Sequence, residues 1–341
     1  MAGIGERYLA EIEAELKACV PAEGGADLLY TMMRYHLGWI DRRGRATPGA
    51  AGKRIRPLLC LVVCEGYGTE YRRALPAAAA IELLHNFTLI HDDVQDRSDE
   101  RRHRPTVWRI WGEAQAINAG DAMYALARLA VLRLAERGAS DRVVLAAAEL
   151  LDRTCLRVCE GQVLDLSFEE NLDVSKEAYM AMIERKTAAL LGCAAEMGAL
   201  VGGAGPAEQL AMRHFGERLG LAYQVQDDVL GIWGDPSVTG KPAADDIRRR
   251  KKTLPIIHAL ACGTAKQKEQ LRSLFSAPSP TDAQVDEVMQ LLGATGARRA
   301  AEDEAARLYR ETEHWLATAR IAPQTVTILR DLVSSLLLRP A

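Results

Sequence analysis

Aromatic side chains are scarce, 5 % of the 341 residues, while hydrophobic residues reach 48 %, much of it Ala and Leu. Sheets draw on aromatic and β-branched residues, so this balance favours packed helices. No alternating strand pattern stands out. No apolar run reaches membrane-spanning length, because Arg128 and Arg133 interrupt the longest candidate. The start, Met1 to Arg7, lacks the apolar core of a signal peptide. Seven cysteines, an odd number without framework spacing, suit reduced thiols in a cytoplasmic protein. Cys60/Cys64 and Cys155/Cys159, each pair four apart on an apolar stretch, read as small core-facing residues. A net charge of −3 gives no reason to expect nucleic acid. There is no solenoid repeat and no long polar linker, so the chain reads as one all-α domain over residues 1–341.

Against these absences stands one stretch, Leu83 to Asp96, an apolar helix that ends in three carboxylates. Asp92 and Asp96 are four apart and share a helix face, their side chains about 5–6 Å apart, while Asp93 points elsewhere. Like charges about 4 Å apart repel by about 4 kcal/mol at an effective dielectric near 20, so a cation must sit among them. A second helix, Leu219 to Leu230, repeats the plan with Asp227 and Asp228. Oxygen-only donors favour a hard ion, magnesium before calcium, and magnesium completes its shell with waters and phosphates. The first function read from the chain is a metal–diphosphate site.

Basic segments alternate with the acidic ones. Lys53, Arg54 and Arg56 sit just ahead of an apolar helix (58–66), where free backbone amides also favour an anion. Arg101, Arg102 and Arg104 follow the first cluster; Lys186 precedes the second, and Lys241 and Lys251 follow it. Pro105 is expected to start a helix running to about Arg137. A helix over 141–168 follows. Asp173 to Lys176 caps the next, which carries Arg185, Lys186 and Thr187 to about Gly202. The helix of the second cluster should end near Gly231 or Gly234, and three or four amphipathic helices should fill the last eighty residues. There is no Gly-x-x-x-x-Gly-Lys loop, so this is not a P-loop site. Cations and carboxylates at the mouth of Leu/Ala/Phe-rich helices suit a substrate with a diphosphate head and a hydrocarbon tail.

On these residues the chain resembles the trans-isoprenyl diphosphate synthases of the polyprenyl synthetase family, from about residue 52 to 260. The carriers are Asp92-Asp93-Val94-Gln95-Asp96 with Arg101-Arg102, and Gln224-Val225-Gln226-Asp227-Asp228 with Gly240-Lys241 and Lys251. The resemblance implies an isoprenoid synthase fold, a bundle of roughly 12–15 helices around a central cavity, with further C-terminal helices over 261–338, usually as a homodimer. It implies that Lys53, Arg56, His85 and Arg102 hold the diphosphate of isopentenyl diphosphate. Arg101, Lys186, Thr187, Gln224, Lys241 and Lys251 would serve the allylic diphosphate and its ionisation. Asp92, Asp96 and Asp227, within the set Asp92, Asp93, Asp96, Asp227 and Asp228, would ligate three magnesium ions. Three departures stand out: Gly231 replaces the usual last aspartate of the second motif, His103 the common glycine after the arginine pair, and Arg250 the one before Lys251. The last two are expected to enrich positive charge near the phosphates.

The implied reaction is a head-to-tail, trans condensation of isopentenyl diphosphate with an allylic diphosphate. Each isoprene unit adds about 5 Å, close to one helical turn, so Thr88, Phe87 and Leu84 are candidate floors for the growing tail. Thr88 is small and Phe87 bulky, which points to the twenty-carbon geranylgeranyl diphosphate, with the fifteen-carbon farnesyl product as alternative. Two rivals are a class I terpene cyclase, which needs no isopentenyl pocket, and a non-catalytic synthase subunit.

Overall fold

A computed structural model describes residues 2–22, 27–47, 52–168, 171–235, 244–276 and 280–337. The all-α expectation holds. Helices run as α1 (Ala2–Cys19), α2 (Asp27–His36), α3 (Ile55–Gly66), α4 (Leu75–Gln95), α5 (Val107–Trp111), α6 (Glu113–Leu132), α7 (Asp141–Phe168), α8 (Lys176–Ile183), α9 (Ala189–Gly202) and α10 (Pro206–Trp233). Then come α11 (Asp245–Arg248), α12 (Leu254–Cys262), α13 (Ala265–Ser276), α14 (Asp282–Ala294), α15 (Ala297–Thr318) and α16 (Pro323–Leu337). Among the described residues no helix is long and apolar enough to cross a membrane. Among the described residues no cysteine is in a disulfide; Cys60, Cys64 and Cys155 are buried as expected, whereas Cys159, expected to face the core, is exposed.

The chain divides into two compact units. One comprises Met1–Cys155, Cys193–Arg213 and Ala319–Leu329; the other Leu156–Gly192, His214–Thr318 and Arg330–Ala341. In the first unit α4 packs on α6, α3 and α1. It starts with Pro76 in its first turn, where the missing N–H costs nothing. Ile81, Leu83, Leu84 and Ile90 are buried, at roughly 1.5–3 kcal/mol per side chain, which fixes the helix whose last turn carries the aspartates. Burial of Leu84 at 0 % exposure sets it in the core.

The second unit holds two apolar clusters. One joins Tyr179, Ile183, Leu221, Val225, Val229 and Leu308, wrapping the helix of the second aspartate pair. The other joins Ile232, Ile247, Ile256, Phe275 and Leu292. Ser175 caps α8 as expected, its side chain accepting from Ala178 N at 3.1 Å.

Two expectations are corrected. Pro105 opens no long helix: it ends a two-strand hairpin, β1 (Glu100–Arg101) with β2 (Arg104–Pro105), and α5 and α6 are separated at Gly112, whose φ of 91° ends the helical path. The helix expected through Arg185 to Thr187 is not regular either. A π-helical turn, Glu184–Ala188, joins α8 to α9.

Candidate active site

In the first unit the carboxylates sit at the C-terminal end of α4, the negative end of its dipole, with no basic residue in the last turn. Asp92 is half-buried and Asp96 exposed, while Asp93 is buried at 1 %. The three therefore differ in kind. Asp93 is gripped by Arg101, Nε lying 2.9 and 3.1 Å from its two oxygens and Nη2 2.8 Å from Oδ1. Burial pushes its carboxyl above the usual range, and Arg101 pulls it back.

Arg101 is aimed by the hairpin. Its tight turn sets Arg102 and His103 at φ 54° and 58°, both left-handed. Two-residue hairpins need this twist and favour Asn-Gly there, so the glycine common at position 103 is a conformational requirement that His103 meets under strain. The expected charge enrichment is thus tied to a backbone cost. Arg104 closes the base, stacking over Tyr35 at 4.0 Å and donating to Ile40 O at 2.7 Å. The Arg102 guanidinium lies against Gly52. Burial, then the neighbouring Arg54, Arg101 and Arg56, lower its pKa, with Glu82 opposing them. Cations crowded this way favour an anionic guest.

The three cations around the start of α3 do not act alike: Lys53 and Arg54 precede it and Arg56 lies in its first turn. Lys53 is exposed and Arg56 half-buried, its Nη1 3.2 Å from His85 Nε2. Burial and the Arg56 charge hold His85 well below the ordinary imidazole pKa, hence neutral. Arg54 turns inward instead: Nε meets Glu13 at 2.7 Å, Nη1 meets Glu82 at 2.7 Å, and Nη2 donates to Leu37 O at 3.1 Å. A left-handed φ of 49° at Arg54 makes this turn just before α3 begins. Expected as a phosphate cation, Arg54 is a buried clasp between α1, α4 and the end of α2.

In the second unit Asp227 is half-buried and Asp228 buried at 3 %. Asp228 accepts from Tyr179 OH in a short bond, from Leu254 N at 3.0 Å and from Gln224 Nε2 at 3.1 Å. Burial pushes its carboxyl up to about 7. Gln224 Oε1 in turn accepts from Thr187 Oγ1 at 3.0 Å, so Thr187, Gln224, Asp228 and Tyr179 form one chain. The π-helical turn presents Thr187 and Lys186, and π-turns recur at functional sites. Two glycines let it in: a Cβ on Gly161 would lie 2.3 Å from Lys186 N, and one on Gly220 2.5 Å from Ala188 Cα.

Asp165, given no role from sequence, forms an ion pair with Lys186; its place four residues after Gly161 on α7 was the available signal. Lys251 is exposed, 3.9 Å from the buried Asp246. Arg250, at the second replaced glycine, has φ 54°. Lys241 and Gly240 lie outside the described residues.

Among the described residues no three His, Cys, Asp or Glu side chains gather as a closed metal site. A hard ion that takes one or two carboxylates and completes its shell with phosphate and water fits this donor set, a closed cage does not. Asp92 with Asp96, one turn apart at the negative end of the α4 dipole, fits such an ion.

Helical architecture, a carboxylate-ended helix in each unit and guanidiniums crowded for an anion define a diphosphate-handling enzyme. The sequence profile described as Polyprenyl synthetase matches residues 38–292, and the chain belongs to that family. It is a prenyltransferase. It is 40 % identical to the (2E,6E)-farnesyl diphosphate synthase of Mycobacterium tuberculosis, over 93 % of this chain and 89 % of that one. It is also 40 % identical to the geranylgeranyl diphosphate synthase of the same organism, over 82 % and 79 %. A polyprenyl synthetase structure from Streptomyces coelicolor A3(2) superposes with a TM-score of 0.91 at 35 % identity, covering 98 % of this chain and 99 % of that one. A Corynebacterium glutamicum geranylgeranyl pyrophosphate synthase, complexed with isoprenyl diphosphate and magnesium, gives 0.83 at 27 %, covering 99 % of each.

Proposed function

We propose that the chain condenses isopentenyl diphosphate with an allylic diphosphate, head to tail and trans, mainly to geranylgeranyl diphosphate. The observation that carries this reading is the Arg56–His85 contact, with Lys53 exposed on the same segment. A neutral imidazole beside a guanidinium offers a donor and a charge to a second diphosphate, for which a cyclase has no use. Lys53, Arg56, His85 and Arg102 are assigned to isopentenyl diphosphate. Lys186, Thr187, Gln224, Lys241 and Lys251 are assigned to the allylic partner, with Arg101 acting on it from its pairing with Asp93.

Magnesium, three ions by the family pattern, would supply charge neutralisation on the departing diphosphate. Asp92, Asp96 and Asp227 would hold it. Asp93 and Asp228, committed to Arg101 and Tyr179, would hold their neighbours in place. In the reaction the allylic C–O bond breaks and its electron pair leaves with the diphosphate. The isopentenyl double bond forms the new C–C bond, and the proton lost from the adjacent carbon goes to the released diphosphate. Lys186 would stabilise the leaving charge, and Thr187 and Gln224 would line the cation with oxygen dipoles. No side chain need act as a strong base.

The growing tail is assigned to the flank of α4 leading from Asp92 toward its N-terminus, with Phe87 as its floor. Thr88 is too small to stop it, and Leu84 lies in the core. The farnesyl product remains the second reading, favoured by the 40 % identity to a farnesyl synthase over the longer span. One catalytic domain, a cytoplasmic setting and a homodimer complete the proposal. The dimer is supported by Leu145, Leu156 and Val163, exposed at 64–69 % along one stripe of α7. Incubation with isopentenyl diphosphate and each of the five-, ten- and fifteen-carbon starters, with product analysis, tests it. Conversion of an allylic diphosphate alone to hydrocarbon or alcohol would establish a cyclase instead.

A further inference from the structure

Phe87, the proposed floor, is not an isolated ring. It meets Tyr124 of α6 with ring centroids 5.4 Å apart at 40°, and His91, one turn along α4, at 4.9 Å and 72°. His91 is itself anchored: Nε2 lies 3.2 Å from Ile117 O and 3.6 Å from an Asp121 oxygen, and the ring fills the space beside Gly120. Tyr124 is held from the other side. Its hydroxyl donates to Asp152 Oδ1 at 3.1 Å, and Asp152 is paired with Arg128. His91 faces Gly120 while Phe87, one turn back, faces Tyr124, one turn on; α4 and α6 are therefore antiparallel here, turn opposite turn.

We propose that Tyr124 is a second determinant of product length, forming with Phe87 a two-ring floor that closes the gap between α4 and α6. This rests on the assignment of the tail to the flank of α4. Four residues back from Asp92, Thr88 is turned only about 40° from it, whereas Phe87, five back, is turned about 140°. Phe87 thus reaches sideways from α4 and ends on the Tyr124 ring. Removing Phe87 takes away one side of the barrier and leaves Tyr124 at the same level, anchored through its hydroxyl. One turn beyond, α6 presents Arg128 in its pair with Asp152, a poor surface for hydrocarbon. Tyr124 therefore sets how far the cavity opens once Phe87 is gone.

The test compares products from isopentenyl diphosphate and a fifteen-carbon starter across wild type, Phe87→Ala, Phe87→Ala/Tyr124→Ala and Tyr124→Phe. The double variant should raise the share of products of roughly thirty carbons or more by about tenfold over Phe87→Ala, since each unit needs about one helical turn of depth. Tyr124→Phe, which keeps the ring and loses only the hydroxyl, should leave wild-type products unchanged. If Tyr124→Ala does not fold, Phe87→Ala/Tyr124→Leu replaces it, because leucine keeps the bulk of the core contact and removes the ring. A lengthened Phe87→Ala whose distribution the double variant merely repeats overturns the role of Tyr124 and leaves the tail assignment standing. No lengthening in either variant overturns both, and a wild type that makes no prenyl diphosphate overturns the proposed function itself.

Discussion

Gly231 and Asp246 share one volume: a Cβ on Gly231 would stand 1.9 Å from Asp246 Oδ2. The side-chain space at the end of the second aspartate motif thus already belongs to a carboxylate from α11. Gly231→Ala should cost about 1–3 kcal/mol as an overpacked site. Gly231→Asp, which restores the usual motif, should cost more, because two carboxylates about 4 Å apart repel by about 4 kcal/mol at a dielectric near 20. Thermal melts and turnover of both variants check this. A Gly231→Asp protein that is as stable as wild type and more active would show that the space is free.

His103 and Arg250 occupy left-handed positions that cost a non-glycine residue roughly 1–2 kcal/mol. Part of the relief from glycine is offset by the greater freedom it gives the unfolded chain. His103→Gly and Arg250→Gly should each stabilise the fold by a few tenths to about 1 kcal/mol, read from the denaturant midpoint at unchanged slope. Destabilisation by either would mean that the side chain holds more than its backbone strain costs.

Those two positions illustrate what sequence does and does not carry. α7 begins and ends at the residues its apolar period marks, and Ser175 caps α8, because burial stripes and caps are local signals. The hairpin after α4 has strands of two residues, too short to alternate. The π-helical turn depends on Gly161 and Gly220 approaching from distant parts of the chain, and no local pattern encodes that. Asp92 and Asp96 were separable from Asp93 by helical spacing, as the Asp93–Arg101 pair agrees. The inward turn of Arg54 was not legible, because its partners, Glu13 and Glu82, lie 41 and 28 residues away.

His36 and His85 are both held well below the ordinary imidazole pKa of 6.5, by burial first and then by the surrounding arginines. Below that pH the unfolded chain binds protons that the folded chain does not, so stability must fall as pH drops through about 6.5 and level off above it. Urea unfolding between pH 5 and 8 should show this slope, and His85→Gln should lessen it. An equal slope in that variant would assign the acid sensitivity to other groups.

Glu82 accepts from Arg54 and Asn86 inside the fold, with both members of the Arg54–Glu82 pair nearly without solvent contact. Removing one partner of such a pair costs about 3–5 kcal/mol, because a buried charge is left behind. Glu82→Gln keeps the shape and one acceptor and should lose less than Glu82→Ala. Since Arg54 directly precedes α3, next to Lys53 and two residues before Arg56, the surviving folded variant should show a raised KM for isopentenyl diphosphate at nearly unchanged kcat. Raised values for both substrates would indicate general loosening instead.

The three aspartates that end α4 should separate in function as they do in geometry. Asp92 and Asp96 stand less buried than Asp93 at the negative end of a helix dipole, a place that favours a bound cation. Asp92→Asn or Asp96→Asn should lower turnover by about a hundredfold or more at saturating magnesium, since electrostatic stabilisation of the leaving group is commonly the largest catalytic contribution. Neither should lower the melting temperature of the free protein, because relief of mutual repulsion works in its favour. Asp93→Asn should behave in the opposite order. It leaves the partly exposed Arg101 beside a buried neutral amide, at a cost of about 1–3 kcal/mol, and its loss of turnover should follow from a misplaced Arg101. Pairing Asp93→Asn with Arg101→Gln removes the stranded charge and should recover part of the stability without recovering turnover. Equal melting temperatures for Asp92→Asn and Asp93→Asn would mean that the Arg101 clasp carries no weight in the fold.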